Sequence, residues 1–380
     1  MNILVTGARA PIAADLARVL AAGGHRVFTS DSLHSPVGRF APGAAGYLRL
    51  PAPAANFPAF DAALVDACEV HAIDLVVPTS EEVFWLAQVT AWPAGCRLLT
   101  SGAATLDELH HKGHFATLAG MLGYGAGACQ MLTTKERLAA FARDHDTIEW
   151  VLKRVYSRFA TQVLVGPAPR EVQELPADPD NAWLAQPRAR GPEVCLYNIC
   201  RDGQVLLHVA YRPVWRAGLG ASVYFEPVQD SSLREMSERF ARATRFTGQL
   251  SFDVIQTTKG PVALECNPRG TSGVHLAAQH PDLLRRALLG EAVEMPRLAP
   301  AMLALPLLAC HPTLLLSADG RRSWTAARDA MSQAGVSIPA QVRAMGEMLW
   351  KAASNGTAVL ATSTKDIEWN GAPTSVASAR

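Results

Sequence analysis

The stretch SFDVIQTTKGPVALECNPRG, residues 251–270, decides how this chain is read. Two strand-like runs meet at Thr258-Lys259-Gly260, the pattern of a hairpin. Its second half ends Leu264-Glu265-Cys266-Asn267-Pro268-Arg269. An acid, an amide and a cation therefore stand at i, i+2 and i+4, which on a strand points all three to one face. Asp253, at the start of the preceding strand, supplies a second carboxylate. Two carboxylates, an amide oxygen and a guanidinium are hard oxygen ligands beside a phosphate clamp, the set that magnesium–nucleotide sites use. A solvated edge strand is the plain alternative. It would not place Pro268 between polar residues or keep Val262, Ala263 and Leu264 apolar just upstream. Cys266 belongs to the opposite face, which argues against it as a nucleophile.

The rest of the composition narrows the context. A chain of 380 residues holds two or three domains of ordinary size. With 35 basic and 34 acidic side chains it carries no basic stripe for nucleic acid. The longest apolar run, AMLALPLLAC at 301–310, is too short for a membrane span and contains a proline. Met1 leads straight into strand-like sequence with no basic leader, so no signal peptide is expected. The seven cysteines (68, 96, 129, 195, 200, 266, 310) are scattered and form no Cys-x-x-Cys pair. Reduced thiols and a cytoplasmic location are the expectation.

Residues 2–6, 25–30 and 73–78 read as strands, alternating with helices at 11–22, 58–70 and 81–88, the last capped by Ser80. That order predicts an open parallel α/β domain over about 1–103. Residues 104–145 read as helical and carry the basic cluster His110-His111-Lys112-Gly113-His114. Short strands follow from Trp150, with a hairpin turn at Arg201-Asp202-Gly203-Gln204 and a helix over 231–247. Residues 282–350 read as mostly helical, and the small polar tail from about Gly371 as mobile.

Val5-Thr6-Gly7 opens a helix after a strand, as a dinucleotide-binding turn does. Such a turn wants glycines at 7, 10 and 13, and Ala10 and Ala13 fill two of the places. Asp31 stands where a ribose-binding acid would be, but no Tyr-x-x-x-Lys occurs. A tight strand–helix turn is the preferred reading over a nicotinamide site.

Together, Glu265-x-Asn267-Pro268-Arg269, the strand lysine in Val151-Leu152-Lys153, the segment Trp183–Pro187 followed by Gly191-Pro192-Glu193, and the Gly7-containing first domain resemble the ATP-grasp superfamily. Its carbamoyl-phosphate-synthase-like carboxylate–amine ligases, amino-acid ligases included, are the best match, over about residues 1–290. The resemblance implies a pre-ATP-grasp α/β domain (1–103) and a two-part ATP-grasp domain (104–290) of mixed α/β and α+β character. A mostly helical C-terminal region (291–380) follows. Within 104–290 it implies a helical linker (104–149), a lysine-strand and hinge part (150–195) and a metal-binding part (196–290).

The resemblance also assigns roles. Glu265, Asn267 and Asp253 would hold magnesium (or manganese), with Ser251 an alternative register for Asp253. Lys153 and Lys112 would contact the nucleotide phosphates, although Lys112 also reads as part of a solvated helix end. Backbone groups at Gln186, Pro187 and Arg188 would pair with adenine. Glu193 would take the ribose hydroxyls or stand as a solvated acid. Arg269 would hold the transferred phosphoryl group. Arg216 would meet a substrate carboxylate or the γ-phosphate, or serve the structure. The flap after the lysine strand, Arg154–Thr161, lacks the usual glycines, leaving Ser157, Arg158 and Thr161 side chains to cover the phosphates. Gly270–Gly273 would turn into a helix whose amides face an anion. Glu81 or Glu82 would hold an amino group or simply favour a helix N-terminus. The implied activity is ATP-driven joining of a small carboxylate to an amine, in a protein that forms a homodimer by analogy. A thiol or hydroxyl acceptor, a kinase, or a non-catalytic nucleotide-binding homologue are the alternatives.

Overall fold

The computed structural model describes residues 1–218 and 220–371. The first domain comprises β1 (Asn2–Val5), α1 (Pro11–Ala22), β2 (Arg26–Asp31), β3 (Ala44–Arg49), α2 (Phe57–Val70), β4 (Leu75–Val77), α3 (Glu82–Leu86) and β5 (Arg97–Leu98). All five strands are parallel, in the order β3-β2-β1-β4-β5. Both faces are covered, as parallel sheets require: Ile3 and Val5 pack towards α1, while Leu4, Phe28 and Val76 pack with Leu64 of α2. Strand order reverses between β1 and β4, which opens a crevice at their carboxyl ends. Ser80 does not cap α3. The Glu82 carboxylate instead ties down the turn ahead of α3, accepting from the amides of Thr79 (3.0 Å) and Ser80 (3.2 Å).

The 104–145 stretch is not one helical run. It divides into α4 (Ala103–His110), α5 (Lys112–Met121), a strand β6 (Gln130–Leu132) and α6 (Lys135–Asp144). Gly123 and Gly127 adopt φ of +82° and +120°, which ends the helix and turns the chain into β6. Then come β7 (Trp150–Arg154), β8 (Val163–Val165), α7 (Pro169–Glu174) and β9 (Trp183–Pro187). They form an antiparallel sheet ordered β6-β9-β7-β8, with Leu152 and Trp183 packed under Leu138 and Phe141 of α6.

The large sheet begins with β10 (Glu193–Arg201) and β11 (Gln204–Pro213). Asp202 and Gly203 join them at φ of +49° and +82°, the double left-handed geometry of a tight hairpin. A small ribbon of β12 (Arg216–Ala217) and β13 (Ala221–Ser222) precedes β14 (Tyr224–Val228), α8 (Ser231–Thr244), β15 (Gly248–Thr257) and β16 (Gly260–Asn267). Beyond lie α9 (Gly273–Ala277), α10 (Pro281–Leu288), β17 (Ala301–Met302), α11 (Ala304–Cys310), α12 (Ala318–Ala326), β18 (Arg328–Asp329), α13 (Ala330–Gln333), α14 (Ile338–Asn355) and α15 (Val359–Thr362). The sheet runs β16-β15-β10-β11-β14-β17-β18. Residues 282–350 are thus helical in pieces rather than throughout, and β17 and β18 extend the sheet past residue 290.

One face of this sheet packs Leu196, Leu250 and Phe252 against α8 and α5, with the Phe115 ring stacked on Phe240 and Phe252. The other packs Tyr197, Ile199 and Val209 against α9, α10 and the first domain. The chain then returns to where it began. Asp366 pairs with Arg9, and Trp369 sits edge-on to Trp85, with ring centroids 5.0 Å apart. The tail expected to be mobile from about Gly371 lies, beyond that residue, outside the described residues. Among the described residues, no helix is long and apolar enough to cross a membrane.

Candidate active site

A cavity of about 660 Å³ lies between the two sheets of the middle region and the first domain. Across its floor runs a row of side chains from four neighbouring strands. Tyr211 of β11 faces Cys195 of β10, Cys195 faces Asp253 of β15, and Asp253 faces Glu265 of β16. Asp253 is therefore in register, and Ser251 instead faces Asn267. Directly after the Asp253–Glu265 pair the ladder slips, leaving Leu264 without a partner on β15. The bulge turns the Leu264 carbonyl to Lys153, whose Nζ donates to it at 2.8 Å. Cys266 points away into the core beside Phe252, as strand alternation requires.

Two lysines close over the acids. Lys153, buried in the middle of β7, is pushed down to about 8 because burial disfavours its charge; Glu265 offsets part of that. Lys112, at the first turn of α5, lies 3.3 Å from Glu265 and donates to the Ser157 carbonyl at 3.0 Å. It is no solvated helix end, for its side chain is 4% exposed. Burial would raise the Glu265 carboxyl, but Lys112 and Lys153 outweigh that and hold it ionised. Asp253 moves the other way, raised by burial and by the Glu265 charge beside it. Two acids this close, with one pushed towards its neutral form, are a pair that a divalent cation would relieve.

Arg269 departs from the expected strand geometry. β16 stops at Asn267, because Pro268 has no N–H to continue the ladder. The chain folds back, with the Arg269 amide donating to the Asn267 carbonyl at 2.7 Å. The guanidinium still enters the cavity, donating to Asn267 Oδ1 at 3.3 Å and standing 3.9 Å from Glu81. Ser251 and Thr271 fasten the turn: Ser251 Oγ donates to the Arg269 carbonyl and Thr271 to Ser251, each at 3.0 Å. Thr271 and Ser272 line the cavity ahead of α9, where an anion-facing helix start was expected.

Gln186, Pro187 and Arg188 line the opposite end, beside Val151, Val163 and Val165. The apolar walls suit a base. The backbone donors are fewer than expected, since Pro187 has no N–H and the Arg188 amide is donated to the Glu149 carbonyl at 2.8 Å. Glu193 is 2.7 Å from Arg216, and its carboxylate gathers with the Cys195 thiol and the Asp253 carboxylate within 4.8 Å. Glu193 and Arg216 thus lie as a pair at the acid end of the cavity. Cys195 went unread in the sequence, although counting two residues along β10 from Glu193 places it on the same face.

The flap side chains are engaged by other protein groups. Ser157 donates to the Arg154 carbonyl, Thr161 to the Arg158 carbonyl, and Arg158 to Glu81. Phe159 and Ala160 hold φ of +53° and +55° without a glycine between them. A glycine serves from across the gap. A Cβ on Gly220 would lie 2.3 Å from the Phe159 carbonyl carbon, so only glycine lets the chain at 220 meet the flap.

In the first domain, Gly7 and its neighbours are structural. A Cβ on Gly7 would meet Thr79 Oγ1 at 2.5 Å and a Glu82 carboxylate oxygen at 2.6 Å. Glu82 is fixed by Thr6 Oγ1 at 2.8 Å and by the Thr79 and Ser80 amides, so it is not the amine ligand. Asp31 is clamped by the Arg9 side chain and amide, which removes it from any ribose. A second cavity, about 590 Å³, lies at the carboxyl ends of β2 and β3 beneath α14, on a different sheet from the acid row.

No known family model matches this chain, and no curated protein matches its sequence. Solved structures do match its fold. Phosphoribosylamine–glycine ligase of Thermotoga maritima superposes with a TM-score of 0.61 at 12% identity, covering 80% of each chain. N5-carboxyaminoimidazole synthetase of Staphylococcus aureus, complexed with ADP, gives 0.61 at 12% over 82% of this chain and 86% of that one. An L-amino acid ligase of Bacillus licheniformis gives 0.57 at 14% over 80% and 79%. At such identities the likeness is one of architecture, and the architecture is the ATP-grasp fold.

Proposed function

We propose that this chain is an ATP-dependent ligase that activates a carboxylate as an acyl phosphate and joins it to an amine, releasing ADP and phosphate. The observation that carries the reading is the Asp253–Glu265 pair, flanked by Asn267 and overhung by Lys153, Lys112 and Arg269 in one cavity. The crowded acids fit magnesium, with manganese as an alternative; Asp253, Glu265 and Asn267 would hold it. An ion held there would supply positive charge to offset that of the phosphates. The similarity to named ligases and to an ADP complex supports the same reading.

In this mechanism a substrate carboxylate oxygen attacks the γ-phosphorus, the bond to the β,γ-bridging oxygen breaks, and ADP leaves. Lys153 and Lys112 offset charge on the phosphates, and Arg269 holds the group in flight. The amine then attacks the acyl carbon and phosphate departs with the bonding electron pair. The base rests between Val151, Val163 and Val165, with Gln186 to Arg188 at its edge. Glu193 serves the ribose or the metal end, and Arg216 takes a substrate carboxylate or the γ-phosphate. A cytoplasmic setting suits the seven free cysteines. A homodimer suits the exposed apolar residues Ile338, Val342, Leu349 and Trp350 on α14.

Release of ADP and phosphate across a panel of amino acids and other small carboxylates, with magnesium, tests the reading. Stimulation by one acid, and a hydroxamate when hydroxylamine replaces the amine, are the expected results. Turnover without hydroxamate would point to a kinase, and no stimulation by any carboxylate would remove the ligase reading.

A further inference from the structure

Arg158 lies in the flap between β7 and β8, yet its guanidinium bonds to Glu81, Asn370 and Trp369, all outside the flap. Nε donates to both oxygens of Glu81, at 2.8 and 2.7 Å. Nη1 donates to Asn370 Oδ1 at 2.7 Å and Nη2 to the Trp369 carbonyl. Glu81 stands at the carboxyl end of β4 with a side chain 1% exposed, and the same carboxylate is 3.9 Å from Nη2 of Arg269. One buried acid of the first domain is therefore shared by a flap arginine and by the arginine at the end of β16. The adjoining residue ties the flap to the site a second time, since the Ser157 carbonyl accepts from Lys112.

We propose that Glu81 is a positioning residue that couples the seating of the flap to the aim of Arg269, with Trp369 and Asn370 forming the outer half of the same clamp. The task given to Arg269 rests on the ATP reading above; the clamp on the flap does not. Stability alone is a poor reason to keep this ion pair, because desolvating two charges cancels much of their attraction. Direction is a better one. Two oxygens facing one guanidinium fix its plane, and an apolar contact would leave it free to turn. Charge balance points the same way. Arg158, Arg269 and Lys112 all bear on the buried His110, whose ring is lowered well below its ordinary range by burial first and by these cations next. Glu81 is the carboxylate that reaches both arginines, so its loss leaves cations facing one another across the flap hinge.

Backbone hydrogen exchange of residues 156–162 in the nucleotide-free full-length protein tests the clamp. It is paired with kcat and KM for ATP in the presence of the best carboxylate. Glu81→Gln should speed flap exchange about tenfold, as expected when a local opening loses a holding contact. It should lower kcat by roughly tenfold to a hundredfold while KM for ATP moves far less, because an arginine is misaimed in the transition state. Glu81→Asp, which keeps the charge, should recover most of both. Asn370→Ala, on the exposed side and safe for folding, should speed exchange by about twofold to threefold. Unchanged flap exchange in both Glu81→Gln and Asn370→Ala would overturn the clamp. Faster exchange with unchanged kcat would overturn the coupling to Arg269. Absence of ATP turnover in the wild-type protein would fell the ligase reading and the role given to Arg269, and exchange would still decide the clamp.

Discussion

The acid row on β15 and β16 and the flap between β7 and β8 cover the same cavity from opposite sides, and they are built on opposite principles. The row is embedded in a seven-stranded sheet, with Phe252 and Cys266 buried directly behind Asp253 and Glu265. Each acid is placed by ladder pairing and by the alternation of the strand. The flap has no such backing. It holds Phe159 and Ala160 in the left-handed region, at a cost of roughly 1–2 kcal/mol each, and relies on distant partners to stay there. Chemistry is thus placed by regular structure and its cover by a few specific contacts. The sharpest test of the first half is Glu265→Ala. Removing the acid that Lys112 and Lys153 both face should lower kcat about a thousandfold, near 4 kcal/mol of transition-state stabilisation. Circular dichroism and flap exchange should stay as in the wild type. A fall confined to KM would show that the row only binds.

Lys153 separates the two halves by pH. Its ammonium is lowered to about 8, with burial as the first cause, so the free protein loses this charge as pH rises through that value. Phosphate binding favours the charged form and must then take up a proton. ADP affinity should therefore be flat below pH 7 and weaken by up to about tenfold per unit above 8, as one linked proton requires. Isothermal titration between pH 6.5 and 9.5 reads this directly. Lys153→Arg, always charged, should flatten the profile. A profile that stays steep in that variant would move the titration to another group.

The contrast also explains what the sequence could and could not disclose. Glu265, Asn267 and Asp253 were legible because a two-residue period and one hairpin turn suffice to place them. Lys153 was legible as a charge on a strand led by the apolar Val151 and Leu152. The end of β16 at Pro268 was visible in principle, yet alternation alone extended the strand to Arg269. Strand β6 was hidden by helix formers on both sides, and only Gly123 and Gly127 ahead of it marked the break. The hinge donors failed for a simpler reason. Pro187 carries its own veto in the sequence, whereas the engagement of the Arg188 amide by Glu149 depends on a strand brought in from elsewhere. No local pattern records that Arg158 meets Glu81, 77 residues upstream, or Asn370, 212 residues downstream.

Gly220 gives the smallest effect and the finest discrimination. The flap itself has no glycine, and the close approach it needs comes from the facing loop, where a Cβ would lie 2.3–2.5 Å from three backbone atoms of Phe159. Backbone atoms cannot swing aside as a side-chain end can, so Gly220→Ala must lift one loop from the other. The acid row, held by its ladder, is outside the reach of that shift. KM for ATP should rise roughly threefold to tenfold, a loss of about 1 kcal/mol of ground-state cover, with kcat nearly kept. Midpoint temperature should change little, because both segments are surface loops rather than core. The opposite split, kcat lost and KM kept, would mean that this loop contact also aims the phosphoryl group. The boundary between placed chemistry and contact-held cover would then run through the cavity floor instead of along the edge of the flap.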